Sequence, residues 1–275
     1  MGLRINTNLA SLAAQRQIGL SQRQTEGSMK ALASGNRFSD PNESSADYSI
    51  AEHLRAQIAG VKAGKNNAEN AQSFIQVAEG GLSEQNNILI RMRELAVQSA
   101  SDTFSDEERE LLNAEFTQLQ SEVDRIAMTT QFGSQRLLAG ESKEYEFQVG
   151  AYGGDENIIR YKADTNTRAS ELRVDGLTVS DKSDARDSLE TIDEALGQIA
   201  KARANFGAID SRLNSTVNHA GIQAENLEAA HSRIADTNIA QAASDMYRNQ
   251  AMQQYQISVL NEANRFPGSV IRLIA

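Results

Sequence analysis

The sequence predicts a mainly α protein: a long, coiled-coil-like helical bundle with a small β-hairpin region and paired terminal helices. Two observations carry this prediction. The chain contains just two prolines, Pro41 and Pro267, and proline is the residue that most strongly breaks helix interiors. Apolar residues also recur at spacings of three and four over several long stretches, which is the periodicity of one face of a helix.

The first long helix is predicted from the longest periodic stretch. Its apolar positions alternate between spacings of three and four, as they do in coiled coils. We expect the helix to continue through Gly80 and Gly81, because the pattern resumes directly after them although glycine weakens a helix locally. The predicted stripe consists of Leu54, Ile58, Val61, Ala68, Ile75, Ala78, Leu82, Leu89, Met92 and Ala96, with Lys65, Ala71 or Gln72, and Gln85 at the intermediate positions.

Two further helices complete the predicted bundle. Ser105, followed three residues later by Glu108, predicts a capping box at the start of the second helix. The link at 100–103 should turn that helix back against the first. The second stripe is Leu112, Phe116, Leu119, Val123 and Ile126, and the third is Leu189, Ile192, Leu196, Ile199, Phe206, Leu213, Val217, Ala220, Ala224, Leu227 and Ile234. Three long amphipathic faces bury each other in a bundle.

The period changes in the stretch between the second and third helices. Tyr145, Phe147 and Val149 alternate with polar residues, a glycine-rich turn follows, and "IIRYKA" comes next. This pattern predicts a β-hairpin, with a further short strand pair in "ELRVDGLTV". The whole β-hairpin region is expected at about 140–180, as a small cap on the bundle.

The two chain ends are predicted to form a terminal coiled-coil domain of residues 1–43 and 236–275, and residues 44–235 form the helical bundle domain. The last stretch carries an apolar ladder that includes Met252, Tyr255 and Val259. The N-terminal helix and neighbouring copies are expected to bury this ladder. Docking into an intramolecular core is the alternative, and a membrane surface fits poorly because the flanking charge is acidic. Helix stripes that meet different stripes on the next copy propagate into helical filaments.

Charge and composition argue against several classes of function. The net charge is −10, with a sequence pI near 4.9, and no basic cluster suits nucleic acid. Cysteine is absent, and no apolar stretch approaches the length that crosses a bilayer. The three histidines lack metal-ligand spacing, and no catalytic or phosphate-binding motif is found. We therefore expect no cofactor, no metal, no enzyme activity, no nucleic-acid partner and no membrane insertion.

Several motifs, in order along the chain, resemble those of bacterial flagellin, the subunit of the flagellar filament. They cover both termini and the bundle. Departures from the family pattern occur at 41–43, at 47–48 and at Gly133, where asparagine is usual. The motifs are "MGLRINTNLASLAAQ", "LASGNRFSDPNESSADYSIAEHLRAQIAG", "IRMRELAVQSA", "TTQFGSQRLLAG", "SRIADTNIA" and "SVLNEANRFPGSVIRLIA".

The resemblance implies a minimal flagellin without outer domains, which self-assembles into the flagellar filament and serves swimming motility. It implies an extracellular location in the filament and export without a cleaved signal peptide, in keeping with an N-terminus that lacks an apolar signal core. The implied partners are other copies of itself, flagellar junction and cap proteins, and an export chaperone. The residues expected to form the self-assembly core are Ile5, Leu9, Leu12, Met252, Tyr255, Val259, Phe266, Val270 and Leu273.

A second surface is also implied by the resemblance. Animal Toll-like receptor five recognises flagellin monomers on the helix face that carries the "RELAVQ" motif. The matching residues here are Arg91 and Leu95, which share one face because they are four apart on a helix, and Glu115 on the neighbouring helix. The alternative is that these residues serve subunit packing.

Three rival functions remain at this point. The first is a hook–filament junction protein, which has flagellin-like ends. The second is a soluble coiled-coil adaptor or chaperone, which would stay monomeric or dimeric where a filament subunit self-assembles. The third is an enzyme, which would need a polar cluster in a pocket.

Overall fold

The computed structural model describes residues 8–38, 45–141, 143–163 and 165–274, with side chains as far as residue 265. Helices dominate these residues, as predicted. The helices are α1 (Leu9–Ser34), α2 (Ser45–Ser99), α3 (Asp106–Thr129), α4 (Lys182–Ala235) and α5 (Ile239–Ile274). Four short strands lie between α3 and α4: β1 (Gln131–Phe132), β2 (Gln135–Arg136), β3 (Lys143–Gln148) and β4 (Ile158–Ala163).

The chain divides into two compact units. The smaller one, the terminal unit, combines Met1–Ala56 with Asn226–Ala275, and the larger one, the bundle unit, is Gln57–Glu225. Helices α2 and α4 each contribute residues to both units.

The core of the bundle unit follows the predicted helix stripes closely. From Val61 to Ala96, every apolar residue predicted for the first stripe is buried, and α2 runs unbroken through Gly80 and Gly81. The other two stripes supply the opposite walls of the core, with Phe116, Val123, Ile192, Ile199, Phe206 and Leu213 all buried. Gln85 lies in the same stripe and is buried as well.

The start of α3 confirms the predicted capping box. The Ser105 side chain accepts a hydrogen bond from the Glu108 amide, and the Glu108 carboxylate accepts one from the Ser105 amide. Arg109, in the next half-turn, is buried and donates to the carbonyl oxygens of Ser99, Ser101 and Phe104. The arginine therefore holds the link between α2 and α3 closed, because it satisfies the Ser99 carbonyl at the end of α2, which has no helix partner, and two carbonyls of the link itself.

The predicted hairpin is confirmed. Strands β3 and β4 pair antiparallel, with Tyr145 opposite Tyr161. The turn that joins them approaches α2 so closely that a Cβ on Gly64 would lie 2.3 Å from the carbonyl oxygen of Val149. Glycine at this position lets the hairpin lie against the helix.

The second predicted strand pair, at 171–179, is wrong. This stretch forms turns, and α3 holds it through Gln120, whose side-chain amide donates to the carbonyl oxygens of Val174 and Leu177, at 2.8 Å each. Buried apolar side chains anchor the turns, so their alternation reflects packing onto helices rather than strand pairing. A short hairpin that the sequence did not predict, β1–β2, lies instead directly after α3.

The terminal unit contains an antiparallel helix pair. Helices α1 and α5 pack along each other, and the Asn8 side chain at the start of α1 donates to the Ala263 carbonyl near the end of α5, at 2.7 Å. At the opposite end, Asn36 and Asp236 form an isolated antiparallel bridge. Gly35 ends α1 in the left-handed conformation, with φ of 70°, which glycine adopts without strain.

Candidate self-assembly interface

The contact surface between α1 and α5, called here the seam, is polar where it is most deeply buried. Among the side chains that the structure describes, its buried residues are Ser11, Ser21, Thr25 and Gln256. Half-buried positions continue the three-and-four spacing along both helices. They are Ala14, Ile18, Ser28 and Leu32 on α1, and Met246, Asn249, Gln253, Leu260 and Ala263 on α5. The seam thus mixes large apolar residues with small and polar ones, and polar side chains fill its most buried positions, which coiled coils usually give to large apolar residues.

Several large apolar side chains of the same helices are exposed in the single chain. Three on α1 form the α1 stripe, which is Leu9, Leu12 and Leu20, and three on α5 form the α5 stripe, which is Met252, Tyr255 and Val259. Leu9 is 67% exposed and Tyr255 is 73% exposed. By helical spacing, each stripe lies on a different face from the seam residues of its own helix. The pair therefore leaves both apolar stripes in contact with water.

This arrangement bears on the self-assembly core predicted from the sequence. Leu9, Leu12, Met252, Tyr255 and Val259 lie on the two exposed stripes, so the expectation that α1 itself buries the α5 ladder is wrong for the described side chains. The ladder follows one three-and-four register, and the seam uses another. Ile5 lies outside the described residues, and so do the side chains of Phe266, Val270 and Leu273.

The face predicted for receptor recognition lies on α2 and α3 of the bundle unit. Arg91 and Glu115 are exposed and form an ion pair across the helices, in which Nε and Nη2 of Arg91 both donate to Oε1 of Glu115, at 3.0 and 2.9 Å. Hydrogen bonds to Glu115 and then to Glu94 raise the pKa of Arg91. Leu95 is fully buried beneath this face. Arg91 and Glu115 are thus available to a partner, whereas Leu95 supports the face from within the core.

Sequence reasoning missed the polar seam and the exposed Leu20. The signal for the seam was present, because Gln253, Gln256, Leu260 and Ala263 also keep a three-and-four spacing. The more apolar of the two registers on this helix predicts the ladder instead. Within the described residues, no group of acidic or histidine side chains is arranged to hold a metal, and no helix is both long and apolar enough to span a membrane.

Two family models match most of the chain. The bacterial flagellin N-terminal helical region matches residues 5–143, and the bacterial flagellin C-terminal helical region matches residues 189–274. Residues 144–188, between the two matches, hold most of the β3–β4 hairpin and the turns that follow it. The chain is therefore a compact form without outer domains.

Individual relatives extend this likeness over nearly the whole chain. A flagellin from Halalkalibacterium halodurans is 36% identical over 271 residues, which cover 98% of this chain and 99% of the relative. A flagellar filament 30.7 kDa core protein from Treponema maltophilum is 34% identical over 286 residues, with 98% and 99% covered. The crystal structure of Bacillus cereus flagellin gives a TM-score of 0.51 at 29% identity, covering 60% of this chain and 94% of that one.

These relatives agree with the predicted fold and function. Those with more than 30% identity are named flagellins or filament core proteins, and nothing in them favours a junction protein. The flagellin family is structural rather than enzymatic and assembles into filaments of its own copies. The chain belongs to the bacterial flagellin family and is a structural subunit of the flagellar filament.

Proposed function

We propose that copies of this subunit assemble through the two exposed stripes of the terminal unit, the α1 stripe and the α5 stripe. Together with the end of α5, these stripes would form the inner core of the filament. The chain would reach the cell exterior without a cleaved signal peptide, with an export chaperone, junction proteins and cap proteins as its other partners. The bundle unit would pack around the inner core.

The observation that carries this proposal is the placement of apolar side chains outside the α1–α5 pair. Exposed large apolar residues that cluster on a surface mark interaction sites, and each such side chain that leaves water on assembly contributes about 1.5–3 kcal/mol. Within one chain the fully buried seam positions are serine, threonine and glutamine, and the large apolar seam residues stay half-buried. The two exposed stripes would therefore add a substantial further burial when copies pack together.

The geometry also favours open growth rather than a closed dimer. The α1 stripe and the α5 stripe differ in sequence, and they lie on two different helices of the pair. When the α1 stripe of one copy meets the α5 stripe of the next, each added copy presents a fresh free stripe. Such a heterologous contact forms a ring or a helical filament, and the family forms filaments.

Seeded polymerisation of a charged variant tests this interface. In the single chain Val259 is exposed, so Val259→Asp should leave the fold of the free subunit unchanged. In the filament the new carboxylate would be buried without a partner, which costs several kcal/mol. We expect elongation from filament seeds, followed by light scattering and electron microscopy, to stop.

The matched control is Asn261→Asp, which places the same charge two residues further along α5, outside the stripe and at another exposed position. Normal elongation of Asn261→Asp together with loss in Val259→Asp supports the proposed interface. Normal elongation of both variants would show that the α5 stripe is not buried between copies.

We further propose that Arg91 and Glu115 form the surface that Toll-like receptor five contacts on the free subunit. Their support is that both side chains are exposed and hold each other in a fixed two-point geometry. Arg91→Ala and Glu115→Ala should each weaken binding of the purified receptor ectodomain, while Arg125→Ala, at an exposed ion pair elsewhere on α3, should leave it unchanged. Equal affinity in all three variants would contradict this assignment.

A further inference from the structure

Gln85 is a polar residue at a fully buried position of the bundle core. It lies between Leu82 and Leu89 in the first predicted stripe, and all three residues are 0% exposed. A side-chain amide that is buried without hydrogen bonds is costly, so each of its polar atoms is expected to have a partner. The surroundings of Gln85 therefore show what this part of the core can bind.

The nitrogen of the Gln85 amide is fully satisfied by two backbone carbonyls. Nε2 donates to the Val123 carbonyl of α3 at 2.9 Å, and to the Thr167 carbonyl in the segment after β4 at 3.1 Å. An amide nitrogen has two hydrogens to donate, and both are used. Because both partners are acceptors, the atom that faces them must be the nitrogen, which fixes the orientation of the amide and turns Oε1 away from them.

Two buried oxygen atoms at this site keep unused hydrogen-bonding capacity. Among the residues that the structure describes, no group donates to Gln85 Oε1, and no group pairs with the Thr167 hydroxyl. Thr167 is 2% exposed, so bulk solvent does not reach it. The two residues already share the 3.1 Å hydrogen bond, which brings both oxygen atoms to the same part of the core.

We propose that Gln85 and Thr167 hold a buried water molecule, bound by Gln85 Oε1 and the Thr167 hydroxyl. Water suits this pair because it donates to Oε1, which can only accept, and it either donates to the hydroxyl or accepts from it. Buried waters typically satisfy polar groups that the fold leaves without protein partners. A metal cation fits poorly, because within the described residues no acidic or histidine side chains are grouped to hold one.

The water would strengthen the connection between α2 and the segment after the hairpin. Backbone contacts join that segment to the link that follows β2: the Thr167 amide donates to the Leu138 carbonyl at 3.0 Å, and Ala139 and Asn166 form an isolated bridge. Gln85 thus binds where α2, α3 and these two segments meet. The site lies within the bundle unit, so it is independent of the proposed assembly interface.

Thr167→Val tests the site by the sign of its effect on stability. Valine keeps the branched shape of threonine and replaces the hydroxyl with a methyl group. With the water bound, the substitution removes one of its partners and leaves Gln85 Oε1 without a donor. We therefore expect the unfolding equilibrium constant of the full-length free subunit, measured by urea denaturation, to rise about tenfold. If the hydroxyl instead has no partner, the methyl group is the better buried group, and an unchanged or smaller constant would overturn the proposal.

The matched control is Thr117→Val on the surface of α3. The Thr117 hydroxyl is exposed and donates to the Asn113 carbonyl of its own helix, so its loss should change the unfolding constant by about twofold or less. If Thr117→Val raises the constant as much as Thr167→Val does, the effect belongs to the exchange of threonine for valine in general, and the proposal fails.

The water is also directly observable in a density map of the full-length protein, at a resolution that shows ordered waters. We expect a water within about 3.2 Å of both Gln85 Oε1 and Thr167 Oγ1. Thr167→Ser keeps the hydroxyl and should retain this water, whereas Thr167→Val should lose it. A wild-type map in which no water contacts both oxygen atoms would overturn the proposal, whatever the stability of the variants.

Discussion

Gln120→Leu should loosen the turns that join the hairpin to α4 without disturbing the helices. Gln120 is buried on α3, and its side-chain amide donates to the carbonyl oxygens of Val174 and Leu177, at 2.8 Å each. Leucine has a similar volume, so the substitution removes both hydrogen bonds and leaves little cavity. The effect should therefore measure the hydrogen bonds rather than the packing.

The magnitude follows from the two carbonyls that lose their side-chain donor. Val174 is fully buried and Leu177 is half-buried, and a buried group left unsatisfied costs about 1–3 kcal/mol. Allowing for the smaller penalty at Leu177, we expect a destabilisation of about 2–4 kcal/mol. Each 1.4 kcal/mol is a factor of about ten in an equilibrium, so local opening should become roughly 30-fold or more frequent.

Amide hydrogen exchange and urea denaturation together measure this effect. The Val174 amide donates to the Ala169 carbonyl at 3.0 Å, so its protection reports on whether the turns are closed. The control is Gln118→Leu, the same substitution at an exposed position of the same helix. If Gln120→Leu and Gln118→Leu agree within about 0.5 kcal/mol, the usual range for surface substitutions, the two hydrogen bonds do not hold the turns.

Three further predictions concern the bundle unit. Arg109→Ala should destabilise it by about 2–4 kcal/mol in urea denaturation, because the Ser99 carbonyl at the end of α2 and two carbonyls of the α2–α3 link lose their donor. A change below about 0.5 kcal/mol would refute this. Gly64→Ala should destabilise the bundle unit by about 1–3 kcal/mol, because the new Cβ would clash with the hairpin turn. Gly80 faces open space, so Gly80→Ala should instead stabilise α2 by about 0.5–1 kcal/mol. Equal changes in the free energy of unfolding for the two variants would refute the close approach of the turn. The hydrogen bond from the Ser105 amide lowers the pKa of Glu108 below its ordinary 4.5. The stability that this carboxylate contributes is therefore present above pH 4.5 and is lost as the pH falls through the lowered pKa. Glu108→Gln should remove that part of the pH dependence of thermal unfolding.

The sequence by itself determined the helices and the core of the bundle unit. When the other faces of a helix are polar, a three-and-four apolar spacing identifies the one face that can be buried. The first long helix, α2, is such a case. Leu82, Leu89 and Met92 are buried for this reason. The capping box at Ser105 and the β3–β4 hairpin are equally local, because their signals lie within a few residues of the structure that they specify.

The turns at 171–179 could not be determined in this way. Their alternating apolar residues match a strand, but Val174 and Val179 are buried against helices far away in sequence. The side chains that satisfy their backbone come from α3: the Gln120 amide donates to the Val174 carbonyl, and the side-chain oxygen of Asn113 accepts from the Val179 amide at 2.9 Å. A local pattern does not contain those distant partners.

The face that α5 turns towards α1 was decided by tertiary structure. The sequence offers two registers on this helix, and the apolar one predicts that Tyr255 and Val259 pack against α1. Hydrophobicity ranks the two faces but does not record that Gln256 meets Ser21, 235 positions away. A buried hydrogen bond between residues so far apart in sequence becomes visible when both helices are in place, because neither local pattern contains its partner.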